Sequence, residues 1–220
     1  MILYNTLMGV CAALTMLLMA SAARVIPMSL TDVVDAHTSR QEVRGYGLAL
    51  LAVGAPLTVL AGAMTLTWPL TVNPPVNIAF AEPTLLLGVL ALLAGVWLSR
   101  MDGQPVRVTP VLWVIHALGW VLAAIASAIG SYDLIGDAPA AEPISGQFTG
   151  WENTAFTVVY ALAALGCLAA PWALSSPLGN RVLRYSFRLA GFALLAFSVL
   201  NYRTHIGLLI NTVRGTHYHW

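Results

Sequence analysis

The sequence contains very little charge. Of its 220 residues only 9% are Asp, Glu, Lys or Arg, whereas soluble domains contain about 25%. Lysine is absent, so that every basic residue is arginine. Because 59% of the residues are hydrophobic, a water-soluble fold would lack the polar surface to cover its core. The net charge of +1 also leaves nucleic-acid binding without its usual basic patch.

Chemical motifs are scarce as well. The chain contains no Walker loop, no Gly-rich dinucleotide fingerprint, no nucleophile elbow and no paired-cysteine zinc pattern. Its two cysteines, Cys11 and Cys167, lie in separate apolar runs, so we expect free thiols rather than a disulfide. The sequence therefore gives no positive sign of an enzyme and indicates no cofactor.

Long apolar runs dominate what remains. A helix that crosses a bilayer core of about 30 Å needs about 20 apolar residues, and charged residues divide this chain into six such runs. They predict an all-α integral membrane bundle of about six transmembrane helices, forming a single domain over residues 1–220. The runs are Ile2–Ala23, Gly45–Leu70, Pro83–Ser99, Val108–Tyr132, Asn153–Leu174 and Leu189–Val213. The first lacks the basic start of a signal peptide, so we interpret it as a retained helix.

The connections between these runs alternate in charge. Arginines flank the first, third and fifth connections, whereas the second and fourth contain acids and no basic residue. The positive-inside rule then places the arginine-rich connections in the cytoplasm. We therefore predict a multi-pass protein of the cell membrane with both termini outside the cytoplasm. Its predicted partners are the lipid bilayer and, as a further hypothesis, other membrane subunits.

A polar cluster is predicted near the outer surface. Arg203 and His205 interrupt the sixth run, and an ionisable residue at membrane depth is costly and often functional. One interpretation is an interfacial arginine with Tyr202 as an anchor. The other is a buried arginine that pairs with Glu82 or Glu152, because each precedes an inward-running helix. Asn5 and Asn153 complete this predicted ligand-binding or ion-pair cluster.

Histidines offer further hypotheses. His116 in the fourth run could be a haem ligand, a proton relay or a hydrogen-bonded core residue. It is predicted to lie at a different depth from His205, so one haem bound by both is not expected. His205, His217 and His219 form a candidate copper or zinc site near the C-terminus.

A short sequence echo joins two of the predicted hairpins. Asn77-Ile78-Ala79-Phe80 precedes the third run, and Asn153-Thr154-Ala155-Phe156 opens the fifth. Both segments are predicted at the outer surface, at the start of an inward-running helix. The echo indicates either duplicated hairpins or a coincidence.

Several segments resemble a known family. The sequence Leu66-Thr67-Trp68-Pro69-Leu70, the segment Asn77–Phe80, the pair Glu82-Pro83 and the N-terminal Tyr4-Asn5-Thr6 are similar to a family of small polytopic membrane proteins of bacteria and archaea. That family is described as a domain of unknown function. The resemblance implies the membrane fold over most of the chain, and it implies no biochemical role for any residue.

The sequence favours a non-catalytic accessory subunit of a larger membrane complex, because soluble domains are missing and few ionisable groups lie inside the helices. The first alternative is a small-molecule or ion carrier that uses the outward-facing polar cluster. The second alternative is a metal- or haem-binding redox protein of the membrane.

Overall fold

The protein is an all-helical bundle. A computed structural model describes residues 2–26, 36–71, 73–100, 109–136, 140–148 and 150–216. Every regular element in these ranges is a helix, and two of the helices are short 3₁₀ turns, Ser145–Gln147 and Ala170–Trp172. The six α-helices are α1 (Ile2–Val25), α2 (Ala36–Thr67), α3 (Pro74–Ser99), α4 (Thr109–Tyr132), α5 (Trp151–Leu168) and α6 (Pro177–Arg214). The predicted fold class is confirmed.

Five of these helices are long and apolar enough to cross a membrane, namely α1, α2, α3, α4 and α6. The remaining helix, α5, has 18 residues and carries Glu152 and Asn153 near its start. These two polar residues lower its mean hydropathy, and α5 is not among the five. The protein is therefore a multi-pass membrane protein in which a shorter, more polar helix packs among longer apolar ones.

The start of α3 differs from the sequence prediction. The helix begins at Pro74 rather than at Pro83, and Pro83 lies inside it. Proline is tolerated in the first turn because its missing N–H would have no helical partner there. Neighbouring helices can compensate for a proline inside a membrane helix. As a result, Glu82 lies within the body of α3 instead of before its first turn.

The last two helices also depart from expectation. Pro171 follows α5, which ends at Leu168, and the chain continues through a 3₁₀ turn. In contrast, α6 is continuous over 38 residues, about 57 Å at the usual helical rise. Arg203 and His205 therefore do not break the helix, because both side chains are compatible with helical backbone geometry.

The helices associate mainly as three antiparallel pairs, α2 with α3, α4 with α5, and α1 with α6. Glycine permits a close approach between α2 and α3. A Cβ atom added at Gly88 would lie 2.9 Å from the backbone nitrogen of Thr58. Small residues at such positions are what lets transmembrane helices pack tightly.

The two ends of the bundle differ in charge. The end that holds Asp133, Glu142 and Glu152 is called here the acidic end, and the end that holds Arg24 and Arg100 the basic end. Asn180 fastens α6 to α1 at the basic end: its Nδ2 donates hydrogen bonds to the carbonyl oxygens of Ala23 (2.9 Å) and Ala173 (3.1 Å). This contact joins the first and last helices.

Candidate functional site

A cavity of about 230 Å³ lies inside the bundle. Side chains of α1, α3, α4, α5 and α6 line it, whereas α2 contributes none of the described lining residues. Its polar lining includes Asn5, Thr6, Glu152, Asn201 and His205, all toward the acidic end. The opposite part of the lining is apolar and includes Met16, Leu118, Leu122, Cys167 and Phe187.

The cavity is elongated along the bundle axis. Its lining on α1 runs from Asn5 to Met16, and its lining on α5 runs from Glu152 to Cys167. These separations correspond to about 16 Å and about 22 Å at 1.5 Å per residue. The bilayer core is about 30 Å thick, so these two stretches of the lining correspond to roughly half and three quarters of that depth. A polar head and an apolar tail would both find matching surroundings in it.

Glu152 is the carboxylate that lines the cavity. It lies in the first turn of α5, where the positive end of the helix dipole interacts favourably with a negative charge. Asn5, on α1, faces the same cavity. The Oδ1 atom of Asn5 is buried and has no hydrogen-bond partner among the described residues. Such an atom costs free energy unless a ligand or water donates to it.

His205 connects α6 to α1 at the polar end of the cavity. Its Nδ1 lies 3.4 Å from the Oγ1 atom of Thr6, and Thr6 is buried. The carboxylate of Glu142 acts on His205 electrostatically. Glu142 is itself buried and accepts hydrogen bonds from the backbone N–H groups of Ile144 (2.8 Å) and Gly146 (3.3 Å).

Sequence reasoning overlooked Glu142 as a neighbour of His205. The segment that carries it packs on α6, where the Nδ2 atom of Asn211 donates a 2.9 Å hydrogen bond to the carbonyl oxygen of Ala141. Neither interaction has a sequence signal, because each joins a connection to a helix position roughly 60 to 70 residues further along the chain. The two acids considered from the sequence were those next to predicted helix starts, and Glu142 precedes none.

Part of the predicted polar cluster lines the cavity. Asn5, Glu152 and His205 line the cavity together, while Glu82 and Arg203 are exposed. Arg203 lies about 39 Å from the start of α6 at 1.5 Å per residue. The pairing of Arg203 with Glu82 or Glu152 stays a prediction. Tyr202 is half-buried and does not line the cavity.

Helical periodicity explains which α6 residues reach the cavity. Asn201 and His205 are four residues apart and lie on one face, whereas Arg203 is rotated by about 200° from either. The same face continues through Ser198, Leu194 and Phe187, which also line the cavity. A test for spacing of three and four residues would have selected Asn201 from the sequence in preference to Tyr202.

The side chain of Asn153 joins the start of α5 to the end of α4 and the connection after it. It is buried, and its Oδ1 accepts a hydrogen bond from the N–H of Ile135 (3.2 Å), while its Nδ2 donates to the carbonyl oxygen of Ile129 (2.8 Å). In the preceding hairpin, the Oδ1 atom of Asn77 accepts a 3.0 Å hydrogen bond from the N–H of Leu70, and its Nδ2 donates a 3.0 Å hydrogen bond to the carbonyl oxygen of Leu70. The two asparagines of the sequence echo therefore hold equivalent places, each fastening the end of one helix to the start of the next.

His116 is a hydrogen-bonded residue. Its Nδ1–H donates to the carbonyl oxygen of Leu168 (2.8 Å), and its Nε2 accepts from the indole N–H of Trp120 (3.2 Å). Leu168 ends α5, where helical carbonyls lack backbone partners. Both ring nitrogens are thus in use, and the arrangement leaves neither for an iron atom. Trp113 and Trp172 surround the ring with edge contacts.

The candidate metal site falls mainly outside the described part of the chain. His217 and His219 are not among the described residues, so their approach to His205 stays a prediction. Within the described ranges there is no group of three or more His, Cys, Asp or Glu side chains that could hold a metal ion. Both cysteines are buried free thiols.

Comparison with known proteins gives a family and no activity. A family model described as "Protein of unknown function (DUF981)" matches residues 1–207. No curated protein and no solved structure matches the chain. Since the match covers nearly the whole sequence, and since the helices make the chain a multi-pass membrane protein, this protein belongs to the DUF981 family of proteins of unknown function.

Proposed function

We propose that this protein is a carrier of a small, partly apolar molecule, which binds in the cavity between α1, α3, α4, α5 and α6. The observation that carries the proposal is the division of the cavity lining into a polar part and an apolar part. Binding sites for small molecules are typically apolar clefts with a few convergent polar groups. Bundle interiors are a common location for such sites.

The size of the cavity limits the molecule. Ligand pockets usually measure about 300–1,000 Å³, and this cavity is somewhat smaller at about 230 Å³. A single short chain with a compact head fits that volume better than a two-chain lipid. With the topology predicted from the arginines, the polar part of the cavity faces the outer compartment. The proposed carrier therefore takes up its molecule from that side.

Analysis of the purified protein tests the proposal directly. The protein is isolated from its native membrane in mild detergent, and the bound small molecules are identified by mass spectrometry. We expect a stoichiometric molecule with the wild type and none with Ala163→Phe, because Ala163 lines the cavity and is buried. The matched control is Ala161→Phe, at an exposed position of the same helix, which should keep the molecule.

Transport is tested in a second step. Proteoliposomes that contain the wild type should take up the identified molecule faster than those that contain Ala163→Phe, and Ala161→Phe should behave as the wild type. A wild type that purifies without any small molecule contradicts the proposal. Equal retention in all three proteins would show that the molecule binds elsewhere.

An accessory subunit is the second candidate, and the exposure of α4 supports it. Of the apolar stretch with which α4 could cross the membrane, only 22% is buried within the protein, whereas the corresponding share is 33–50% for the other candidate spans. Its outer face carries Trp120, Ala124 and Ser127, and small residues such as the last two suit helix–helix contact. Native purification separates the two candidates: a stable complex with other proteins and an empty cavity favours the subunit.

A further inference from the structure

We infer that the polar head of the molecule bound in the cavity is an uncharged or cationic hydrogen-bond donor, such as an alcohol or an amine, and not a phosphate or carboxylate. This inference rests on the proposed function and narrows its ligand class. It concerns the polar part of the cavity lining, formed by Asn5, Thr6, Glu152, Asn201 and His205.

The acceptors at this end of the cavity lead to the inference. The Oδ1 atom of Asn5 is buried without a hydrogen-bond partner among the described residues, and the carboxylate of Glu152 accepts hydrogen bonds only. A donor head group would satisfy the first atom and form a charge-assisted hydrogen bond with the second. An anionic head could not donate to the Oδ1 atom of Asn5 and would meet Glu152 with like charge.

The charges around the cavity agree with this assignment. None of the described lining residues is Lys or Arg, although arginine is the usual partner of phosphate and carboxylate groups. Arg203 is exposed and lies outside the described lining. The charged group that acts on His205 is another acid, Glu142. The described lining thus supplies one carboxylate and no Lys or Arg where the head would lie.

Aromatic rings favour the amine over the alcohol. Phe80, Phe156 and Phe197 all line the cavity, and their rings are in mutual contact, with centroids 5.1 Å apart for the first pair and 4.7 Å for the second. Ring faces attract a cation that is near them. Between the rings and Phe187 the lining is mostly apolar, with Thr84 and Tyr160 as polar residues, and it accommodates the tail.

Photolabelling tests the inference. Octyl probes with a diazirine at the tail end carry an amine, a hydroxyl or a carboxylate head, and they are added to the protein in nanodiscs of zwitterionic lipid. We expect the amine and hydroxyl probes to label peptides around Cys167 and Phe187 until excess unlabelled compound competes. The carboxylate probe should label them about tenfold less, the equivalent of one lost charge-assisted hydrogen bond.

Two variants make the test specific to the head group. In Glu152→Gln the amine probe should lose its labelling by about tenfold. The hydroxyl probe keeps a neutral amide oxygen as its acceptor, so it should lose less than the amine probe, and its remaining labelling shows that the variant is folded. Glu82→Gln, at an exposed acid outside the cavity, should leave all labelling unchanged. Equal labelling by the carboxylate probe would overturn the inference and leave the proposed binding intact. If no probe labels the cavity, the inference fails, and the proposed function fails with it only when nothing co-purifies with the wild type.

Discussion

The rings of Phe80 and Phe156 pack against each other with their centroids 5.1 Å apart. Each phenylalanine is the fourth residue of an Asn-x-Ala-Phe segment, and each follows a buried asparagine that fastens its own hairpin. The two hairpins, α2–α3 and α4–α5, thus meet through equivalent residues near the polar end of the cavity. This correspondence in three dimensions agrees with the first interpretation of the sequence echo, and it leads to the first prediction.

Asn153→Ala should destabilise the protein. The substitution leaves the N–H of Ile135 and the carbonyl oxygen of Ile129 without their side-chain partner, which costs about 1–3 kcal/mol for a buried group. Asn77→Ala should act similarly on the other hairpin, while Thr212→Ala, which truncates a polar side chain at an exposed position, should change the stability by less than about 0.5 kcal/mol. Thermal unfolding in detergent measures all three. If the two asparagine variants melted at the same temperature as the wild type, water would have to replace the asparagine side chains.

Gly88→Ala should also destabilise the protein. The added Cβ would lie 2.6 Å from the Oγ1 atom and 2.9 Å from the backbone nitrogen of Thr58, so α2 and α3 must move apart at a cost of about 1–3 kcal/mol. Gly62→Ala is the control, because its added Cβ would find its nearest neighbour, an atom of Leu85, at 3.7 Å. Denaturation curves should show the control as stable as the wild type or more so. If Gly62→Ala were as unstable as Gly88→Ala, the result would contradict the described packing of α2 against α3.

His116→Leu should lower the melting temperature more than Trp120→Phe does. The first change removes the donor to the carbonyl oxygen of Leu168 at a cost of about 1–3 kcal/mol. The second removes a hydrogen bond between exposed groups, for which we expect about 0.5 kcal/mol or less. A visible Soret band that disappears in His116→Leu would instead assign the histidine to a haem.

Arg203 and Glu152 should show weak energetic coupling. The sequence predicts this pair, and the exposure of Arg203 limits the coupling to about 1 kcal/mol or less, where a buried pair would give about 3–5 kcal/mol. The measurement is a double-mutant cycle with Arg203→Ala and Glu152→Gln. A parallel cycle with Glu82→Gln identifies the other candidate acid. Coupling of several kcal/mol would mean that Arg203 is buried in the membrane.

The acidic end of the bundle should face away from the cytoplasm, since arginine-rich connections stay inside. An alkaline phosphatase fused after Trp220 should be active and a green fluorescent protein fused there should be dark. Fusions that replace the chain after Arg100 should give the reverse pattern, because Arg100 lies at the basic end. An inverted result at both sites would turn the polar part of the cavity toward the cytoplasm.

The sequence by itself determined the class of the protein and most of its helices. Low charge and long apolar runs predict a membrane bundle, because helices satisfy their own backbone groups in lipid. Helices α1 and α4 begin and end within two residues of their predicted bounds. The start of α3 was predicted wrongly because a proline inside a helix reads as a helix start when only the local sequence is considered. Whether a proline is tolerated inside a membrane helix depends on the neighbouring helices.

Only the tertiary structure decided which polar residues share a site. Asn5, Glu152 and His205 come from three helices, and their convergence depends on the rotation and packing of those helices, which hydropathy does not encode. Arg203 is two residues from His205 and lies on another face, since each residue turns a helix by about 100°. Glu142 acts electrostatically on His205 because a connection folds over α6, and neither propensity nor periodicity predicts such a long-range interaction.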